Sequence, residues 1–168
     1  MTAKMNPLLH IGKTYYIYES VYGKVMIESD GKAITMIKTE RNAYPTGKKA
    51  ADNLTDKAAR QLEEYFAGKR ERFDVPLHPS GTDFQLSVWK ALMKIPYGET
   101  RSYKQIAIAI NNSKACRAVG LANNKNPIWI LIPCHRVIGS DGTLTGYGGG
   151  LEMKQRLLEI EKGYNRKV

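Results

Sequence analysis

The stretch Ser102-Tyr103-Lys104-Gln105-Ile106-Ala107-Ile108-Ala109-Ile110-Asn111-Asn112-Ser113-Lys114-Ala115-Cys116-Arg117-Ala118-Val119-Gly120 decides how the second half of the chain folds. Ser102 followed three residues later by Gln105 is a capping box, in which each side chain serves the other's backbone N–H. It predicts a helix through Ile106, Ala107 and Ile110. Asn111-Asn112 breaks that helix, and Ser113 is expected to cap another, over residues 114 to about 123. Two short helices joined by so tight a turn make a helix-turn-helix. Between the charged residues Lys104, Lys114 and Arg117 lie small ones, Ala115, Ala118 and Gly120, which let a helix approach a groove closely.

Working outward, Thr82-x-x-Gln85 is another capping box. It opens a helix with Phe84, Val88, Trp89, Leu92 and Met93 on one face, stopped at Pro96-Tyr97-Gly98. Residues 69–81, with Pro76 and Pro79, read as a connector, and the domain boundary is placed there: residues 1–79, then 80–168. In the first unit, Tyr16, Tyr18, Val25, Ile27, Ile34, Met36 and Ile37 predict three strands, with turns at Tyr22-Gly23 and Asp30-Gly31. Thr55 is expected to cap a helix carrying Ala58, Leu62, Tyr65 and Phe66, ended by Gly68. After the helix pair comes the apolar run Ile128-Trp129-Ile130-Leu131-Ile132. Residues 139–150 hold six glycines and predict a loop, and Leu157, Leu158 and Ile160 mark a last helix. The fold class is α+β: a small antiparallel sheet plus a helix, then a mainly helical, winged-helix-like unit.

Length and composition fit a globular protein, with 42% hydrophobic and 25% charged residues among 168. No apolar run approaches the roughly 20 residues that span a bilayer. The first six residues lack the apolar core of a secretion signal. A cytoplasmic protein is expected, with no membrane partner. Its two cysteines, Cys116 and Cys134, are expected to be free thiols. The net charge is +10, unevenly spread: residues 1–79 hold 13 Lys+Arg against 10 Asp+Glu, and residues 80–168 hold 13 against 6. A basic face attracts polyanions, above all a phosphate backbone.

The chemistry centres on Ile132-Pro133-Cys134-His135-Arg136-Val137. A thiol reacts as its thiolate, and cationic or imidazole neighbours lower its pKa, so Cys134 reads as an activated nucleophile. Neighbours in an extended segment point to opposite sides. Direct contact between Cys134 and His135 is therefore awkward, and a bridging water is expected.

These segments together resemble the O6-alkylguanine-DNA alkyltransferase family, over roughly residues 82 to 163. The resemblance rests on Pro133-Cys134-His135-Arg136-Val137, Ser102-Tyr103-Lys104-Gln105-Ile106-Ala107, Arg117-Ala118-Val119-Gly120, Asn126-Pro127 and Tyr147-Gly148-Gly149-Gly150-Leu151. It implies DNA repair by irreversible, single-turnover transfer of the alkyl group from O6-alkylguanine, and more weakly from O4-alkylthymine, to Cys134. His135 would be the base, Glu161 its orienting carboxylate, and Asn126 a brace for the turn. The helix pair would enter the minor groove of double-stranded DNA and flip the target nucleotide out. Arg117 would fill the vacated place and Tyr103 would crowd the 3′ phosphate. Ser102, Lys104, Lys114 and Ala115 would contact DNA. Val137, Tyr147, Gly148, Trp129 and Arg136 are assigned to the base pocket. No cofactor is implied, a monomer is expected, and in a prokaryote the protein would associate with the nucleoid.

Two departures stand out. Some relatives carry a serine where this chain has Gly148, so one donor to O6 is missing. Trp129 lies near the expected pocket edge, where its bulk would favour methyl over large adducts. Some relatives also bind zinc in the N-terminal unit; residues 1–79 hold no cysteine and only His10 and His78, so no metal site is expected. Two rival readings remain: a helix-turn-helix protein that binds lesions or regulates without chemistry, and a cysteine hydrolase. The presence of Cys134 disfavours the first. The second needs a base in direct reach and an oxyanion hole.

Overall fold

The computed structural model describes residues 12–163. His10 and the first six residues lie outside the described residues. Strands β1 (Thr14–Ser20), β2 (Gly23–Ser29) and β3 (Ile34–Thr39) pair antiparallel as expected. A short fourth strand, β4 (Lys48–Lys49), runs parallel to β1, giving the order β3-β2-β1-β4. Two exposed lysines carry no apolar alternation, which is why the sequence pattern misses β4.

Helix α1 (Asn53–Phe66) packs Ala58, Leu62, Tyr65 and Phe66 toward the core. Its cap is Asp52, not Thr55. Asp52 accepts from the Thr55 N–H, and the Thr55 hydroxyl accepts from the Asp52 N–H. Thr55 is therefore the inner half of a reciprocal box and is fully buried. At the other end the Gly68 N–H reaches the Tyr65 carbonyl and the Lys69 N–H reaches Glu64, the Schellman arrangement, with Gly68 at φ 68°.

The outer edge of β3 is covered from two sources. The Ile34 N–H donates to Pro76 and the His78 N–H returns to Ile34, so the connector covers the first half. The Ile37 N–H donates to Pro127 and the Trp129 N–H to Ile37, so the segment leading to Cys134 covers the second. The sheet edge is thus capped, and the segment that leads to Cys134 is tied to the sheet. One apolar core runs through both halves, joining Ile37, Leu62 and Tyr65 to Trp89, Ile128 and Leu157.

The second half holds α2 (Asp83–Leu92), β5 (Arg101–Ser102), α3 (Tyr103–Ala109), α4 (Cys116–Asn124), β6 (Val137–Ile138) and α5 (Leu151–Glu161). The capping boxes of α2 and α3 form as expected, on Thr82/Gln85 and Ser102/Gln105. Trp89 is buried and donates Nε1–H to the Ala122 carbonyl at 2.9 Å, pinning α2 to α4. Truncating it to alanine costs about 3–5 kcal/mol. Helix α4 starts two residues later than the sequence suggests. Asn111 takes a left-handed φ of 58°, and the Asn112 carbonyl accepts from Ala115 N–H. The turn is lengthened, so Ala115 rather than Ser113 holds the cap position, without a side-chain bond. No described helix is long and apolar enough to cross a membrane.

Candidate active site and nucleic-acid interface

Cys134 is buried, 2% exposed, at the start of a one-turn 3-10 helix over Cys134–Arg136. The segment is therefore not extended, as the sequence suggests; Pro133 (φ −80°, ψ 64°) makes an inverse γ-turn closed by Cys134 N–H to Ile132 O at 2.8 Å. Three residues earlier, Ile130 stands at φ 72°, with Leu131 N–H bonded to Trp129 O at 2.8 Å. A β-branched residue in that region costs on the order of 1–3 kcal/mol. Asparagines hold the strained turn in place. Asn126 Nδ2 donates to Ile132 O at 2.8 Å, its Oδ1 accepts from Ile128 N–H at 3.0 Å, and Asn123 Nδ2 donates to Cys134 O at 3.2 Å. Asn126 thus ties the backbone at Ile128 to that at Ile132, on either side of the turn.

The thiol itself differs from expectation. Burial pushes Cys134 up to about 11, against the opposing pull of a hydrogen bond from Asn126 and the charge of Lys154. Arg136 does not activate it, nor does it line the base pocket. Its guanidinium turns away, with Nε and Nη2 on Glu161 at 2.9 and 3.0 Å and Nη1 on the Ile95 carbonyl at 2.6 Å. The 3-10 turn aims the Arg136 and His135 side chains at one carboxylate. At about 11 the thiol holds its proton near neutral pH, so any chemistry through the thiolate first has to remove it.

His135 is fully buried, and its Nε2 lies 2.6 Å from Glu161 Oε1. Two acceptors at that distance would repel, so Nε2 carries the hydrogen and Nδ1 is the free base. That Nδ1 is buried with no hydrogen-bond partner among the described residues. Burial lowers the imidazole's pKa against the pull of Glu161, which keeps it neutral and able to accept a proton. Glu161, 6% exposed, would be raised by burial, but hydrogen bonds from His135 and Arg136 overcome this and hold it at about 2. Gly98 N–H adds a bond to Oε2 at 3.1 Å, from a turn that needs its φ of 78°. Sequence reasoning treats Gly98 only as a helix stop. It also misses Tyr65 on α1, whose hydroxyl donates to Glu161 Oε1 at 2.7 Å. The helical spacing of Tyr65 marks it as core, and nothing local signals its polar tip.

Around Cys134 stand Tyr103, Lys154 and Tyr147. Tyr103 Oη donates to the Thr145 carbonyl at 2.9 Å, and the same carbonyl accepts from Lys154 Nζ at 2.8 Å. Lys154 is buried, and burial lowers it to about 8 against the attraction of Cys134. The sequence does not single it out, because a lysine on a surface helix reads as solvated. The Tyr147 hydroxyl is buried and has no hydrogen-bond partner among the described residues, and burial raises it well above its ordinary value. Trp129 lies against Tyr147, ring centroids 5.7 Å apart. A side chain at Gly148 would place its Cβ 2.9 Å from Trp129 Cζ2. The glycine at this position is thus explained: a serine collides with the indole. Val137 is buried, its backbone paired with Arg101 through β5 and β6.

The α3–α4 pair presents Lys104, Lys114 and Arg117 to solvent. Ala115 and Ser102 are half-buried, and the Ser102 hydroxyl is engaged as the α3 cap, accepting from Gln105 N–H at 3.1 Å. An open groove of about 340 Å³ runs between α4 and the loop, lined by Tyr103, Cys116, Arg117, Gly120, Asn124 and Thr145 among others. Leu121, 68% exposed, stands on the same helix. Of the remaining histidines, His78 pairs on the surface with Asp30 at 2.9 Å.

Comparison with known proteins gives consistent matches over both halves. Residues 13–79 match the sequence model described as 6-O-methylguanine DNA methyltransferase, ribonuclease-like domain, and residues 83–163 its DNA binding domain. A methylated-DNA–protein-cysteine methyltransferase of Methanosarcina barkeri is 54% identical over 157 residues, covering 88% of this chain and 96% of the relative. The inducible protein of that name from Bacillus subtilis is 45% identical, covering 88% and 84%. A crystal structure of Mycobacterium tuberculosis OGT in complex with DNA superimposes with a TM-score of 0.85 at 47% identity, covering 89% of this chain and 93% of that one. With both halves matched in order and relatives this similar along nearly their whole length, the chain belongs to the 6-O-methylguanine DNA methyltransferase family.

Proposed function

We propose that this protein repairs DNA by moving an alkyl group from O6 of guanine onto its own Cys134, as a methylated-DNA–protein-cysteine S-methyltransferase. One observation carries the reading: a buried imidazole whose Nε2 is committed to Glu161 and whose Nδ1 has no partner among the described residues, next in the chain to a buried cysteine. Through a water, Nδ1 takes the thiol proton as the sulfur attacks the alkyl carbon. A carbon–sulfur bond forms, the carbon–O6 bond breaks, and its electron pair stays with the guanine. The guanine takes up one proton as it leaves. Neutral His135 and ionised Glu161 suit this sequence, because the imidazolium that forms is met by a carboxylate already in place. Coupling proton loss to base binding also explains why a resting pKa near 11 is no obstacle.

The product is a thioether, which has no leaving group that water displaces readily. Each molecule therefore reacts once. A buried sulfur cannot reach a base stacked in a duplex, so the nucleotide is flipped out. Tyr103, Tyr147 and Trp129 bound the space that receives it, and Arg117 on α4 takes its place in the stack. Lys104 and Lys114 contact phosphates, so sequence preference is weak. O4-alkylthymine, with a similar exocyclic ether, is a poorer substrate. We place the protein in the cytoplasm, as a monomer on double-stranded DNA, at the nucleoid in a prokaryote. Residues 1–79 form the bracing unit and residues 80–168 the reactive, DNA-binding one.

The test is an intact-mass measurement after incubation with a duplex containing O6-methylguanine. The expected result is one methyl per molecule, mapped to Cys134 and absent from Cys134→Ala. Binding to the duplex without any mass gain would select the lesion-binding alternative and overturn the proposal.

A further inference from the structure

The proposed reaction uses Cys134, His135 and Glu161, all from the second half of the chain. The structure adds a group from the first half. Tyr65 lies in the last turn of α1, fully buried, and its hydroxyl donates to Glu161 Oε1 at 2.7 Å. That is the oxygen that holds His135 Nε2 at 2.6 Å, and the phenol oxygen itself stands 3.3 Å from Nε2. Aromatic neighbours fix the ring: Phe66, Phe73 and Tyr97 all pack against it, with centroids 5.5–6.2 Å away.

The hydroxyl is not needed to satisfy the carboxylate. A carboxylate offers about four lone-pair sites. Arg136 Nε, Arg136 Nη2, Gly98 N–H and His135 Nε2 already supply four donors. Tyr65 is the fifth, aimed at the oxygen that matters to the base.

We propose that Tyr65 is a positioning residue of the alkyl-transfer site: its hydroxyl, brought from the N-terminal unit, draws charge from Glu161 Oε1 and holds it in register with the His135 ring. The inference rests on the reading of His135 as base. The charged and titratable groups facing His135 are Glu161 and Lys154 on α5, Arg136 and Cys134 in its own turn, and Tyr65 on α1. Among these, Tyr65 acts through Glu161. Its donation weakens the carboxylate's hold on an imidazolium, which keeps His135 neutral to lower pH. Removing the hydroxyl should let Glu161 raise the imidazole's proton affinity. Since only neutral His135 accepts the thiol proton, the acid side of the rate profile should then move to higher pH.

The experiment measures the single-turnover rate on an O6-methylguanine duplex against pH, for the wild type and for Tyr65→Phe. Leu62→Ala is the comparison, a buried α1 change that removes no hydrogen-bonding group. Tyr65→Phe should react about tenfold more slowly, the size expected for one hydrogen bond to a charged acceptor. Its acid limb should rise by about half a unit. Leu62→Ala should lower stability and leave the limb in place. Incorporating 3-fluorotyrosine at position 65 keeps the ring and strengthens the donor, so the limb should move the other way; this arm serves if the phenylalanine variant folds poorly. An unmoved limb in either arm, even with a slower rate, overturns the inference. A wild type that transfers nothing overturns instead the functional reading on which it stands.

Discussion

Two buried glutamates, one in each half of the molecule, look alike by every local measure and differ in what they do. Glu28 on β2 is 3% exposed and accepts from the Thr35 hydroxyl, the Thr46 N–H and hydroxyl, and the Gly47 N–H, with Lys13 3.4 Å away. Glu161 is 6% exposed and equally well supplied. Burial raises both, and hydrogen bonds overcome it in both, so each carboxyl lies below its ordinary range. The difference is in the donors. Those of Glu28 are backbone N–H groups, hydroxyls and the Lys13 ammonium, none of which carries a free acceptor beside a thiol, and they tie the 46–47 loop to the sheet. Among those of Glu161 is an imidazole whose other nitrogen is unsatisfied and whose chain neighbour is a thiol. Burial and charge pairing alone do not mark a site; an unused acceptor beside a nucleophile does.

The comparison breaks most easily at the two carboxylates. Glu161→Gln should slow alkyl transfer by about 100-fold or more, because His135 loses the carboxylate that fixes its tautomer and meets its imidazolium. It should also cost roughly 3–5 kcal/mol of stability, because Arg136 is left buried and unpaired. Glu28→Gln should cost about 1–3 kcal/mol through its disrupted hydrogen bonds, while the folded fraction reacts at the wild-type rate. Single-turnover rates and urea unfolding of the two variants check both statements. A comparable rate loss in Glu28→Gln would erase the distinction.

Acid stability should treat the two alike. A carboxyl whose folded pKa is depressed contributes stability that is fully present above its unfolded value near 4.3. That contribution is lost as pH falls toward the folded value, about 2 for Glu161. Unfolding free energy should therefore drop between about pH 5 and 2 in the wild type, and each glutamine variant should flatten the slope. A slope unchanged by either substitution means that the carboxylate concerned is not ionised in the folded protein.

Arg117→Ala sharpens the comparison from outside the cluster. It leaves Glu161 and His135 untouched, yet repair of duplex DNA should fall about tenfold or more if Arg117 takes the flipped base's place as proposed, since filling the stack would offset an unstacking cost of a few kcal/mol. Reaction with free O6-benzylguanine should be unchanged relative to the wild type. Equal losses on duplex and free base would place Arg117 in the chemistry instead. A smaller effect is expected at the pocket wall: Trp129→Ala should raise the rate on O6-benzylguanine relative to O6-methylguanine by several-fold, about 1 kcal/mol of relieved crowding. It should also make Gly148→Ser tolerable, since the indole is what a serine Cβ meets. Smallest of all, a bulky maleimide should label half-buried Cys116 before Cys134 in the native protein, by peptide mapping.

Much of this was readable from residues in order. The capping boxes at Thr82/Gln85 and Ser102/Gln105 set α2 and α3 correctly, because a cap is a contact between residues three apart. The same locality led to two wrong boundaries. At Asp52/Thr55 both partners can cap, and only the burial of Thr55 decides between them; at Ser113, the left-handed turn of Asn111 moved the helix start. Strand β4 has no pattern of its own and exists because β1 offers it an edge.

The sequence by itself determined the candidate nucleophile Cys134, its neighbour His135, the helix pair that carries Arg117, and the family to which they point. These depend on residue type, on spacing along the chain and on which chemistry a side chain owns. Tertiary structure alone decided that Arg136 turns to Glu161, that Tyr65 and Gly98 reach the same carboxylate, that Lys154 is buried, and that the thiol rests protonated. Each of these depends on how much water is excluded and on partners up to 96 positions away in the chain, sums over the whole packed molecule that no local segment contains.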